Sequence, residues 1–195
     1  MSTLHEGRSY HHGDLRTALL RAAAELLAER GEAAISLREV ARRAEVSHNA
    51  PYRHFADREA LLAALATQGF AELLARMQEA ASALVGQPRL AALGSCYVGY
   101  ALEQRGLFRL MFASALERSR YPQLQEAASQ LHGQLEHAVM ALGVGDVDVA
   151  SLAAWSLVHG LAQLLLDGQV AQGDSPEGLI ERVTSRFAEG LGRSD

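Results

Sequence analysis

Residues 36–57, SLREVARRAEVSHNAPYRHFAD, predict two short helices joined by a tight turn. The apolar positions of the first helix recur at the spacing of one helix face: Leu37, Val40, Ala41 and Ala44. Ser36 and Glu39 form the S-x-x-E pattern of a capping box, which predicts that this helix begins at Ser36. Ser47 can cap a second helix only three residues after the first one ends.

A helix, a short turn and a second helix make a helix-turn-helix, whose second helix can enter the major groove of DNA. Arg42 and Arg43 flank the first helix. Arginine and asparagine side chains can read base edges, whereas Tyr52 and His54 can reach phosphates. The candidate DNA contacts of this motif are Ser36, Arg38, Ser47, His48, Asn49, Tyr52, Arg53 and His54.

The stretch resembles the DNA-binding domain of the tetracycline-repressor (TetR) family of bacterial regulators. The resemblance lies in ISLREVARRA at 35–44, VS at 46–47, YRHF at 52–55 and DREALL at 57–62. It combines capping, turn and contact residues in one order. It implies a DNA-binding unit at residues 1–57, followed at 58–195 by a linking helix and a domain for effector binding and dimerisation.

Three residues of this stretch and the helix after it have backbone or charge properties that are unusual for their positions. Glu45 occupies a turn position that often holds glycine in the family, and glycine adopts positive φ without a steric penalty. Pro51 lacks a backbone N–H, so it fits a helix that Asn49 caps but removes one bond from a helix that Ser47 caps. Arg58 lies in the first turn of the next helix, where a cation is unfavourable; it is either solvated or, as the resemblance favours, a phosphate contact.

The charge balance locates any basic face in the N-terminal part. The net charge is −5, which is unusual for a DNA-binding protein. Residues 1–60 hold nine arginines and nine acidic residues, whereas residues 61–195 hold nine arginines and fourteen acidic residues. The acidity therefore belongs to the C-terminal part, and the N-terminal part can present a local basic surface.

Other bulk features narrow the class of protein. The single Cys96 excludes an internal disulfide framework and a cysteine-based zinc site. The N-terminus has no apolar signal-peptide core, so we expect a cytoplasmic protein. We expect no cofactor and no metal. The arm at residues 1–13 is either a solvated tail or, through Arg8, a contact with DNA.

The remaining chain predicts an all-α protein of about nine helices. After the motif, a long helix reaches about residue 84, and Gly86 and Pro88 break it. Further helices are predicted at about 88–104, after Gly106, from Pro122 to about 142, after Asp146 or Asp148, and at about 176–191. No alternating pattern of a strand appears.

The stretch 149–166, VASLAAWSLVHGLAQLLL, carries no formal charge. Its length could span a membrane, but its polar residues, acidic flanks and lack of basic anchors argue against that. A helix that is apolar on nearly all sides must be buried on nearly all sides, so we expect a homodimer built on this helix and on the one at about 176–191. The candidate interface residues are Ala153, Ser156, Gly160, Gln163 and Phe187.

Trp155, His159 and Gly160 also resemble the Trp-His-Gly type of C-terminal domain in this regulator family. The resemblance implies a small-molecule effector site in the helical body, although each aromatic residue could equally fill a plain core. The candidate effector contacts are Tyr97, Tyr100, Phe108, Met111, Phe112, Tyr121, Trp155 and His159.

Together these features predict a DNA-binding transcriptional repressor that a small molecule releases from a palindromic operator. One alternative is a ligand-binding helical bundle, or an enzyme, with a merely structural N-terminal unit. A catalytic role lacks support because no nucleophile motif, phosphate-binding loop or metal-binding pattern occurs. A further alternative is a regulator without any ligand. The effector, the operator and the regulated genes cannot be read from the sequence.

Overall fold

The computed structural model describes residues 12–112, 116–170 and 175–191. Every regular element in them is helical, which confirms the all-α prediction. Over the described residues the α-helices are α1 (His12–Arg30), α2 (Leu37–Arg43), α3 (Arg58–Ala80), α4 (Gly86–Glu103), α5 (Arg105–Met111), α6 (Pro122–Met140), α7 (Val147–Leu166) and α8 (Pro176–Leu191). Single turns of 3₁₀-helix lie at Glu32–Ala34, Pro51–Arg53 and Arg118–Arg120.

The chain forms two compact units that divide between Leu65 and Ala66, within α3. The division therefore falls inside the helix that follows the motif. Apolar residues of α1, α2, α3 and the segments between them form the core of the first unit: Leu19, Leu20, Leu26, Ile35, Val40, Phe55 and Leu61. Asp57 caps α3, since its Oδ1 accepts a hydrogen bond from the Ala60 N–H at 2.8 Å.

Ser36 caps α2 as predicted, because its Oγ accepts a hydrogen bond from the Glu39 N–H at 3.1 Å. The reciprocal half of the capping box does not form, because the Glu39 carboxylate binds Arg30 and Arg42 instead. After α2 the turn places Glu45 at a φ of 55°. The turn therefore has the left-handed conformation that favours glycine.

The segment expected to be the second α-helix of the motif forms tighter turns instead. The Ala50 N–H donates to the Ser47 carbonyl at 2.8 Å, and Pro51–Arg53 form one turn of 3₁₀-helix. The physical reason is Pro51, which has no N–H and whose ring excludes the carbonyl of the residue four positions earlier. The expectation of an α-helix here is thus corrected to a short 3₁₀ turn.

Helix α4 is the central helix of the second unit and packs against α5, α6, α7 and α8. The approach of α8 depends on Gly94, where an added Cβ would lie 3.0 Å from Thr184 Cγ2. The Ser95 and Thr184 hydroxyls are 2.8 Å apart and share a hydrogen bond beside that contact. The break expected at Gly86 is present just before it, since α3 ends at Ala80 and Gly86, with a φ of 60°, begins α4. The break expected at Gly106 lies instead at Gln104, whose φ of −110° and ψ of 44° are not helical, and Gly106 lies inside α5.

Two helices, Arg58–Ala80 and Val147–Leu166, are long and apolar enough to cross a membrane by length and composition alone. Their most apolar windows are 50% and 39% buried inside the protein. The core helices of soluble proteins meet the same criteria, so this is weak evidence for a membrane span. Helix α7 packs in the second unit against α4, α6 and α8.

Candidate nucleic-acid interface and cavity

The candidate DNA contacts of the first unit are mostly exposed. Tyr52 is 52% exposed, which is unusual for a tyrosine in a packed domain. His54 is half-buried, and its ring lies beside that of Phe55, with centroids 6.4 Å apart. The other exposed candidates are Ser36, Arg38, Ser47, His48, Asn49 and Arg53. The short 3₁₀ turn thus presents polar donors and acceptors to solvent even without a full α-helix.

The arginines of the motif at residues 36–57 fall into two groups. The Arg42 guanidinium holds the Glu39 carboxylate through two hydrogen bonds of 3.0 and 2.5 Å, and Arg43 binds Glu25 and Glu29. The bond from Arg42, together with a second one from Arg30, lowers the pKa of Glu39 to about 2. These cations are therefore neutralised within the protein.

Arg38 and Arg53 form the second group. Both are exposed, and neither has a hydrogen-bond or ion-pair partner among the described residues. They are therefore the arginines of the motif that can take up a phosphate or a base edge without first breaking an ion pair.

Arg58 has contacts other than the expected phosphate. Its Nε donates to the Ile35 carbonyl and its Nη2 to the Glu32 carbonyl, both at 2.8 Å, and Nη2 is 3.1 Å from Glu32 Oε1. The side chain thus ties the start of α3 to the segment before α2. These bonds explain why a cation occupies the first turn of α3.

The second unit contains a cavity of about 670 Å³ between α3, α4, α6, α7 and α8. This volume is in the range of sites for drug-sized ligands. The lining is mainly apolar and aromatic: Phe70, Met77, Leu90, Leu93, Tyr97, Phe112, Leu131, Leu135, Trp155, Leu157, Val158 and Phe187. Polar side chains also reach the cavity: Arg118, Ser119, Gln125, Ser129, His132, Glu136 and Thr184.

Three of the expected effector contacts line this cavity, namely Tyr97, Phe112 and Trp155. Five do not: Tyr100, Phe108, Met111, Tyr121 and His159. Tyr100, Phe108 and Met111 are at most 1% exposed. Tyr100 bonds away from the cavity, since its hydroxyl donates to the Gly69 carbonyl at 3.2 Å.

Met111 packs against Gly69 as well, where an added Cβ would lie 2.7 Å from the Met111 sulfur. Phe108 lies between Tyr97 and His159, with ring centroids 5.4 and 5.6 Å away. These residues are packed inside the second unit, and their contact with a ligand stays a prediction.

His159 lies outside the cavity lining and forms a hydrogen bond with Tyr97, which belongs to that lining. The Tyr97 hydroxyl is 2.9 Å from His159 Nδ1, and the Trp155 indole N–H donates to the Tyr97 oxygen at 3.4 Å. Because the Tyr97 oxygen accepts from Trp155, its own proton can go to an unprotonated Nδ1. Burial lowers the pKa of His159 and raises that of Tyr97, which favours this neutral arrangement.

Sequence reasoning missed most of the polar side chains around the cavity. His132 and Glu136 lie one turn apart on α6 and are paired, with Nε2 and Oε1 3.1 Å apart. Their spacing of four could have signalled this pair. Arg118 lies in the connection between α5 and α6, where no helical periodicity points to a cavity.

The α7 stripe expected at an interface is accessible in the single chain. Ala153 and Ser156 are exposed, and Gly160 and Gln163 are half-buried. An added Cβ at Gly160 would meet nothing within 4 Å. Three further apolar side chains of α7 are exposed, Val149 at 63%, Leu152 at 57% and Leu164 at 49%. Phe187 differs from the rest, since its side chain lines the cavity.

Family comparisons cover both units. Residues 19–65 match the family described as bacterial regulatory proteins, tetR family. Residues 90–187 match the family described as tetracyclin repressor-like, C-terminal domain.

Among the described residues, no three His, Cys, Asp or Glu side chains are grouped so that they could hold a metal ion.

Individual proteins are also similar to this chain, in sequence or in fold. The chain is similar to a protein with unknown function from Rhodococcus sp. RHA1, with 34% identity, a TM-score of 0.84 and coverage of 96% of this chain and 100% of that one. A bacterial regulatory protein in the tetR family from Rhodococcus RHA1 shares the fold, with 20% identity, a TM-score of 0.72 and coverage of 93% and 98%. An HTH-type transcriptional repressor from Mycobacterium tuberculosis is 42% identical over 52 residues, which is 27% of this chain and only 28% of that relative.

Proposed function

This chain belongs to the tetR family of bacterial regulatory proteins, and we propose that it is a DNA-binding transcriptional repressor whose affinity for its operator a small molecule controls. The observation that carries the proposal is the exposed polar surface of the helix-turn-helix, on which Arg38 and Arg53 have no partner among the described residues. A DNA-binding surface needs cations that are free to replace the counterions of phosphates.

We assign the contacts of this surface by their chemistry. Arg38 and Arg53 bind phosphates or guanine edges, and His48 and Asn49 specify bases. Three side chains hold the sugar-phosphate backbone through hydroxyl groups: Ser36, Ser47 and Tyr52. His54 stays a candidate for such a contact, with its Nε2 buried. We assign Arg58 a structural role, because its guanidinium is already bound to the Ile35 and Glu32 carbonyls.

The protein acts as a homodimer in this proposal. The exposed stripe of α7 is apolar or small-sided, and a second copy of the chain would remove Val149, Leu152 and Leu164 from water. A twofold protein reads a roughly palindromic site, whose half-site centres lie about 34–36 Å apart. The site of action is the bacterial cytoplasm, where the DNA is.

The cavity is the effector site, and α3 is one of the helices that a ligand contacts there. Phe70 and Met77 of α3 line the cavity. The first turns of the same helix, up to Leu65, belong to the DNA-binding unit. Release from DNA follows if the ligand binds more tightly to the protein that is off DNA than to the protein on DNA.

Selection from a pool of random DNA duplexes tests the proposal. The purified protein should enrich one palindromic sequence. Asn49→Ala should enrich a sequence that is relaxed at one position of each half-site, because one base contact is lost while the phosphate contacts remain. If the wild-type protein enriches no sequence, the proposed function is wrong.

A further inference from the structure

Arg118 stands out among the side chains of the cavity because its charge has no carboxylate partner in the part of the chain that the structure describes. The guanidinium carbon lies 5.3 Å from the Phe70 ring centroid and 5.9 Å from that of Phe112. One N–H of Nη2 donates to the Met111 carbonyl at 2.9 Å. No carboxylate among the described residues forms an ion pair with it, although the side chain is half-buried.

The described contacts of this charge use only part of its binding capacity. A charge in apolar surroundings is stabilised by an opposite charge or by hydrogen bonds. A guanidinium has five N–H donors, and among the described residues only the Met111 carbonyl accepts from Arg118, beside the two aromatic faces. The cavity wall thus presents a cation whose other donors can face a ligand.

The acidic group of the cavity is already paired. Glu136 lies beside His132, with its Oε1 3.1 Å from His132 Nε2. The Arg118 guanidinium, in contrast, lies over the Phe112 ring, whose centroid is 6.1 Å from that of Tyr97. Burial raises the pKa of the Tyr97 hydroxyl, against smaller opposite effects of the Trp155 hydrogen bond and of the Arg118 charge. One end of the aromatic wall, near Tyr97 and Phe112, is therefore the electropositive end.

We infer that the ligand of this cavity is an amphiphilic organic carboxylate, whose carboxylate binds Arg118 and whose apolar body fills the space between the aromatic and leucine side chains. Planar bidentate pairing with a carboxylate is the interaction that a guanidinium makes best. The apolar body lies against the side chains of the lining that carry no charge: Leu90, Leu93, Leu131, Leu135, Trp155 and Val158. The inference rests on the proposed effector site, whose ligand class it names.

Isothermal titration calorimetry of the full chain without DNA tests it, with three probes that share one body: 4-phenylbutanoate, 4-phenylbutan-1-ol and 4-phenylbutylammonium. We expect the carboxylate to bind at least about tenfold more tightly than the alcohol or the amine, since a charged hydrogen bond is worth more than a neutral one. Arg118→Gln should remove that preference, and Arg118→Lys should keep part of it. Ala128→Trp, which fills the cavity, should abolish binding of all three probes.

Arg120→Gln is the matched control, because Arg120 lies on the same 3₁₀ turn but outside the cavity lining and is exposed. It should bind the carboxylate as the wild-type protein does. Tighter binding of the amine, an unchanged preference in Arg118→Gln, or no binding of any probe would overturn the inference. If Arg118→Gln does not fold, the wild-type preference and Arg118→Lys decide. Since no DNA is present, failure of the DNA-binding proposal leaves this result unaffected.

Discussion

Glu45 has a backbone conformation that favours glycine. Its φ of 55° is in the left-handed region, which disfavours any side chain with a Cβ by about 1–2 kcal/mol. Glu45→Gly should therefore stabilise the protein by about 0.5–1 kcal/mol after the larger entropy of glycine in the unfolded chain is deducted. Thermal unfolding should show a Tm increase of about 1–4 °C. Glu45→Ala, which keeps the Cβ, should give no increase, and a Tm gain for alanine equal to that for glycine would contradict this account.

Arg58 is a second residue whose contacts decide its role. Its bonds to the Ile35 and Glu32 carbonyls hold the segment before α2, where Ser36 begins the motif. Arg58→Ala should lower the free energy of unfolding by about 1–2 kcal/mol, because charged hydrogen bonds are lost at a partly exposed site. Differential scanning calorimetry checks this against Arg53→Ala, which should unfold as the wild-type protein does. An unchanged Tm in Arg58→Ala would mean that these bonds do not stabilise the fold and that the side chain is available to solvent or to DNA.

The individual elements differ in how far the sequence could predict them. Local signals were sufficient for α8, predicted at 176–191 and observed at Pro176–Leu191. They left the cap of α7 open between Asp146 and Asp148, and Asp146 is the one that forms it. The two errors came from glycine and proline. Gly106 was expected to break the chain but lies within α5, and Pro51 shortened the second helix of the motif to one 3₁₀ turn.

The cavity was less predictable than the helices, for a physical reason. Periodicity identifies which aromatic residues face inward but not whether they meet a void or a neighbouring helix. Tyr97 and Tyr100 are both buried on α4, yet Tyr97 lines the cavity and Tyr100 bonds to α3. Arg118 lies on a single 3₁₀ turn, which has no helical periodicity in its sequence. Its position in the cavity lining depends on how segments distant in sequence pack together.

Helix α7 carries the prediction about assembly. Gly160→Leu should prevent the close approach of two copies of this helix, while the fold of each chain is preserved because the added side chain has open space around its Cβ. Sedimentation velocity should show a dimer for the wild-type protein and a monomer for the variant. Gly133→Leu on α6, where an added Cβ also meets nothing within 4 Å, should remain dimeric. A dimeric Gly160→Leu variant would place the interface elsewhere.

At the scale of the whole molecule, we assign DNA binding to the first unit, and ligand binding and dimerisation to the second. The first unit holds the exposed arginines of the motif, and the second holds the cavity and the α7 stripe. Helix α3 is shared, with Arg58 in the first unit and Phe70 in the second. Ligand and DNA are coupled by reciprocity, so whatever weakens DNA binding when the ligand is bound must weaken ligand binding equally when DNA is bound.

The salt dependence of binding to the selected palindromic duplex tests the central claim most directly. Fluorescence anisotropy would give the association constant of the wild-type protein, of Arg53→Ala and of Arg186→Ala, whose arginine lies on α8 and is 84% exposed. Arg53→Ala should weaken binding and lower the slope of log association constant against log salt by about one unit for each bound protomer. Arg186→Ala should change neither quantity. If Arg53→Ala binds with the affinity and slope of the wild-type protein, the exposed surface of the motif is not the DNA-binding surface.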